Sequence, residues 1–158
     1  MRIITIFLLV LTPLLYSGQV KFSQLQSIYD MNSDEFENFV LGQEFSFYEY
    51  LNDLKLQGVR YSKGEGINAK FIGLLEVYYT FGRAVIFQTS NSAEFLSMKE
   101  EMKRFNYKLE KSEDWSNAIH KAKKDTYTGS SFTVVVITIS PDKELERNYP
   151  TYQISLYK

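Results

Sequence analysis

Glu76 has the most unusual surroundings of any acid in this chain, because Val77, Tyr78 and Tyr79 follow it in an apolar, extended-looking run. A carboxylate among apolar neighbours can be tuned for proton transfer, and a second carboxylate nearby would suit glycosidase-type hydrolysis. The same residue also suits a charge on an outer sheet face, opposite a base such as Arg83. His120, the one histidine, sits beside Lys121, Lys123 and Lys124. A general base needs an orienting partner and a cleft, and a histidine on a basic wet face is more often simply solvated. A Ser–His–acid set assembles only in space and cannot be read from order. Cysteine is absent, so no thiol nucleophile exists. No serine lies in a G-x-S-x-G elbow. Zinc would depend on His120 and carboxylates, an uncommon ligand set. The chain has no H-E-x-x-H, EF-hand loop, P-loop or G-x-G-x-x-G pattern. Gly64-Glu65-Gly66 reads as a turn, with no helix start behind it to bind phosphate. No metal and no cofactor are expected, and no catalytic residue is assigned.

Binding chemistry is better represented. The chain holds 12 Phe and 12 Tyr, and 16% of its residues are aromatic. Tyrosine joins a large apolar ring to a polar tip, which suits both cores and interfaces. Strand alternation places Tyr48 and Tyr50 on the face opposite Phe45 and Phe47. With Tyr61 and Tyr78 they form a candidate surface for a protein or glycan partner. The formal charge of −1 becomes −2 without Arg2, which gives no general attraction to nucleic acid or to an anionic membrane.

The elements that must hold these residues show an internal echo. Asn32-Ser33-Asp34-Glu35-Phe36 and Asn91-Ser92-Ala93-Glu94-Phe95 repeat an N-S-x-E-F pattern. Each reads as a helix start: Asn caps the free N–H groups, and Glu three residues on reaches back to the cap. Phe36, Phe39 and Val40 share one face of the first helix, and Phe95, Met98, Met102 and Phe105 one face of the second. Phe45–Phe47 and Phe105–Leu109 follow as strands. Further strands are expected at Val59–Lys63, across 71–81, at Arg83–Thr89, at Phe132–Ile139 and at Thr151–Lys158. Phe132–Ile139, FTVVVITI, is apolar on both faces and belongs in mid-sheet with both faces largely covered. Trp115, Ala118, Ile119 and Ala122 have helical spacing between early acids and late lysines, so 113–124 reads as a helix where the other half has a strand.

The expected fold is α+β: a largely antiparallel sheet with two main helices, built from two similar helix-plus-strands halves, about 32–90 and 91–158. Ahead of it, Ile3–Leu15 is apolar over roughly 13 residues, while a spanning helix needs about 20. Arg2 precedes this run, and Ser17 and Gly18 follow it. That is the pattern of a removable secretory leader, here 1–18, ahead of a single α+β domain at 19–158. No stable membrane span is expected after cleavage, and disorder is confined to the region around Gln19–Gln26. Without cysteine the domain has neither disulfides nor a lipid-attachment site.

An h-region ending before Gln19, no lipid-attachment cysteine, and N-S-x-E-F helices leading into aromatic strands make the chain similar to small exported proteins of Bacteroidetes-type bacteria. Its layout also resembles, in outline, the secreted β-lactamase-inhibitor proteins. The first resemblance implies export to the periplasm or the medium and attaches no activity. The second is a likeness of fold, from which no site residue transfers. The expected function is a non-enzymatic binding or inhibitory module for a protein or glycan partner. The alternatives are a carboxylate hydrolase or a structural envelope protein.

Overall fold

The computed structural model describes residues 19–53, 56–77, 82–116, 121–142 and 148–158. The fold is α+β. Among the described residues, eight antiparallel strands form one sheet, and three α-helices pack on it. The helices are α1 (Phe22–Tyr29), α2 (Ser33–Gly42) and α3 (Ser92–Arg104). The strands are β1 (Ser46–Asp53), β2 (Leu56–Lys63), β3 (Lys70–Val77), β4 (Gly82–Thr89), β5 (Lys108–Asp114), β6 (Ala122–Thr128), β7 (Thr133–Ile139) and β8 (Thr151–Tyr157). Their order is β1-β2-β3-β4-β8-β7-β6-β5. Each half is therefore a helix followed by a four-stranded meander, one strand more than the sequence suggested. The two last strands pair at the centre, with Phe87 opposite Ile154 and Val85 opposite Leu156.

Local chemistry explains the helix ends. The Asn32 side chain accepts from Glu35 N–H at 3.0 Å, and the Glu35 carboxylate accepts from Asn32 N–H at 2.9 Å, a complete capping box. Asn91 likewise accepts from the N–H groups of Ala93 and Glu94. Glu94 does not reach back to that cap. Its carboxylate turns inward and is fully buried. Both α2 and α3 stop in the same way: Glu44 (φ 64°) and Asn106 (φ 61°) take a left-handed conformation, and the next N–H bonds back to Val40 or Met102. That next residue, Phe45 or Tyr107, drops into the core. Phe105, expected on the buried face of α3, lies just past the helix and is 46% exposed.

All three helices lie on one face of the sheet. Their buried residues, among them Phe22, Leu25, Phe36, Val40, Phe95 and Met98, share one cluster with Ile72, Val85, Phe87, Val134, Val136, Ile154 and Leu156. The region around Gln19–Gln26 is not disordered. Phe22, Leu25 and Ile28 of α1 have no exposed surface at all. Eight residues are too few for a stable isolated helix, and tertiary packing supplies the difference.

The expected helix at 113–124 is overturned by the strand pair β5–β6 at its described residues. Asp114 faces Lys123, and Glu113 faces Lys124. The acids-then-bases order that matches a helix dipole also makes opposite-charge cross-strand pairs in a hairpin. FTVVVITI becomes β7, between β8 and β6. Val134 and Val136 are buried beneath the helices; on its other face Ile137 is buried as well, and Val135 and Ile139 are half-buried. Among the described residues, no helix is long and apolar enough to cross a membrane.

Candidate functional site

Of the tyrosines singled out by the sequence, Tyr48 is parted from Tyr50 and Tyr61 by the sheet. The register of β1 on β2 shifts between Phe47 and Glu49, so Tyr48 is the extra residue of a β-bulge. The bulge resets the alternation, and Tyr48 and Tyr50 leave the strand on opposite faces. Tyr48 lies on the helix-free face, its ring 5.0 Å from that of Phe71. Tyr50 lies on the helix side, 4.8 Å from Phe47, and is 77% exposed. Tyr61 is on the helix side too but is only 4% exposed, its ring set edge-on to Phe36 at 5.7 Å. It is a core residue with a polar tip. Burial, with help from the neighbouring Glu37 carboxylate, pushes the Tyr61 hydroxyl pKa up. Tyr78 and His120 lie outside the described residues.

Three of the expected residues do come together. Tyr50, Tyr61 and Glu76 line a groove of about 350 Å³ between α2 and strands β1–β3. Phe36, Val59 and Leu74 supply its apolar floor, and Glu37 and Arg83 join Glu76 on its polar rim. Glu76 faces Arg83 across the β3–β4 ladder, and their side chains meet at 3.0 Å. Arg83 also donates to the carbonyls of Tyr29 and Met31 at 3.0 and 2.9 Å, closing the end of α1. Sequence reasoning missed Glu37, which reads as an ordinary wet-face residue of α2. Only the packing of α2 against β2 brings it to Tyr61.

A second hollow, of about 240 Å³, lies on the helix-free face. Phe71, Leu75 and Ile86 line it together with Arg60, Gln88 and Gln153. Gln88 and Gln153 are direct partners across the central β4–β8 pair. The Arg60 guanidinium lies 5.0 Å from the Phe71 ring centroid and 5.6 Å from that of Tyr48, and it bonds to Glu49 at 2.7 Å. Leu75 can lie flat here because Gly58 has no side chain: a Cβ there would come within 2.6 Å of Leu75 and 2.4 Å of the Leu74 carbonyl oxygen. Along β8, Gln153 donates to the Ser155 hydroxyl at 3.2 Å. Burial raises the Tyr157 pKa, and a hydrogen bond with Ser155 opposes the shift.

Among the described residues, no group of three or more His, Asp or Glu side chains is placed to hold a metal ion. Comparison of the chain with protein-family models, with curated proteins and with solved structures finds no match.

Proposed function

We propose that the chain is an exported, non-enzymatic binding or inhibitory module, made by duplication of a helix-plus-four-strand unit, whose helix-free sheet face receives a protein partner. The observation that carries this reading is the make-up of that face at the centre of the sheet. A face destined for a second packed layer would be uniformly apolar, and one destined for water alone would be rich in charge. Here half-buried Phe71, Ile86 and Val135 alternate with the half-buried amides of Gln88 and Gln153, beside Leu75, Ala84, Ile137 and Ser155, which are buried. Its best-placed charge, Arg60, already has Glu49 as partner. Mixed apolar and neutral polar surface with an aromatic edge at Tyr48 is the chemistry of a protein interface.

Duplication is supported by features that have no reason to coincide otherwise. The halves share the Asn cap, the left-handed helix end, the buried aromatic after it and a bulge in the first strand. Export rests on the leader pattern, and Val20, just past the expected cleavage point, is already 2% exposed. A hydrolase has a specific point in its favour, since Glu37 and Glu76 line one groove. Yet the Glu76 side chain is 51% exposed and engaged by Arg83, whereas a glycosidase acid needs a water-shielded carboxyl.

The test is affinity capture from native envelope and medium, with intact mass measured on the same protein. The expected mass is that of a chain beginning at Gln19. A captured protein should be lost with Tyr48→Ser combined with Gln153→Lys, while Tm moves by no more than about 2–4 °C. Undiminished capture by that variant removes the sheet face from the function. Elution by free sugars would put a glycan in the partner's place.

A further inference from the structure

We propose that the groove between α2 and β1–β3 is a binding site for a basic side chain, an arginine or lysine carried by a partner polypeptide lying along the β1 edge. This site is on the opposite side of the sheet from the face discussed above and does not depend on it. Its walls suit an alkyl stem ending in a cation. Phe36, Val59 and Leu74 form an apolar floor, Tyr50 offers an exposed ring, and the Glu37 and Glu76 carboxylates stand on the rim. Such an arrangement attracts a cation through both the ring face and the negative charge. Arg83, the one base in the lining, is committed to Glu76 and to two carbonyls of the α1 end. Glu37 makes no ion pair with any described cation.

The second half of the chain supplies an internal precedent. Tyr61 faces Phe47, and Tyr127 faces Leu109, each pair immediately ahead of its bulge. Counted back from the helix ends, Glu37 stands three residues before Val40 as Lys99 stands three before Met102, and those two carbonyls close the two helices in the same way. In the second half the Lys99 ammonium lies 5.6 Å from the Tyr127 ring centroid and 5.7 Å from that of Phe95. The chain thus places its own cation against one tyrosine and a carboxylate against the corresponding one. The groove lies in the half where a carboxylate stands in the place of that lysine.

A polypeptide is the fitting carrier because β1 is an outer strand among the described residues. An extended segment can pair along β1 past the bulge and lower one side chain beside Tyr50. The test is amide NMR titration of the purified protein with N-acetyl-arginine amide, N-acetyl-lysine amide, neutral N-acetyl-norleucine amide and the free amine agmatine. A five-residue peptide with arginine at its centre completes the series. The arginine and lysine amides should shift the signals of Glu37, Tyr50 and Gln57 saturably and leave Gln88 and Gln153 unmoved. The norleucine amide should bind at least about fivefold more weakly, and about 0.5 M salt should weaken the cationic probes. Glu37→Gln should lower their affinity by about fivefold, as should Tyr50→Leu, which keeps the bulk but removes the ring. The peptide should bind more tightly than agmatine. Equal binding of norleucine amide, or unchanged affinity in both folded variants, overturns the site. Agmatine binding as tightly as the peptide overturns the polypeptide carrier.

Discussion

At the scale of single residues, the most consequential side chain is one whose role only the fold reveals. Glu94 reads as a capping-box acid, but it accepts from Val20 N–H at 3.1 Å, Lys70 at 2.8 Å and the Thr89 hydroxyl at 3.0 Å. Its side chain is 1% exposed and that of Lys70 is 13% exposed. Removing one partner of such a pair strands the other in low dielectric, at about 3–5 kcal/mol, whereas replacing both is far milder. Urea unfolding should therefore show Glu94→Ala destabilised by about that amount and a Glu94→Met, Lys70→Met double variant recovering the part due to the stranded ammonium, while the Val20 N–H and the Thr89 hydroxyl stay unpaired. Equal stability of the single and double variants would show that the pair is not coupled. Partners at positions 20, 70 and 89 leave no local mark, which is why this role was not legible. The Tyr48–Tyr50 error has another origin. Period-two alternation assumes an unbroken strand, and one inserted residue inverts every assignment beyond it.

At the scale of elements, the helix starts at Asn32 and Asn91 were legible because caps are made by residues three apart. Strands with their own apolar pattern, such as β7, were legible too. What escaped was α1 and the β5–β6 hairpin. The apolar spacing Phe22, Leu25, Ile28 was present but short, and the charges of 113–124 fit two structures equally well. The depth of α1 makes a direct prediction. It packs against β4, α3 and β8, and α3 also accepts from its backbone, Glu101 receiving the N–H of Ser23 at 3.2 Å. Leu25→Ala should cost about 2–5 kcal/mol, as for a full core position. A loss under about 1 kcal/mol would show that α1 is an accessory strap. Hydrogen exchange should rank the α1 amides with those of β4 if it is integral.

At the scale of the whole molecule, the two meanders meet in one continuous ladder, with Val85, Phe87, Ile154 and Leu156 buried along the seam. Neither half closes a core alone, because α1, ahead of both halves, rests on β4 and on β8, and α3 of the second half rests on β4 of the first. Such mutual cover makes a single cooperative unfolding transition the expected behaviour. The same construction limits stability at high pH. Burial raises the pKa of Tyr61, Tyr107 and Tyr157, which lie in β2, just ahead of β5, and in β8. Unfolded tyrosine loses its proton near pH 10. Above that point the unfolded chain holds fewer protons than the native one, so stability falls as pH rises toward the folded values. Below pH 10 both states are protonated at these sites and the three tyrosines contribute no slope. Tyr157→Phe should flatten the decline above pH 10, read as the change in urea midpoint between about pH 9 and pH 11. A decline of unchanged steepness in Tyr157→Phe would assign the alkaline limit to Tyr61 and Tyr107, and single Phe variants at those positions would then have to carry it.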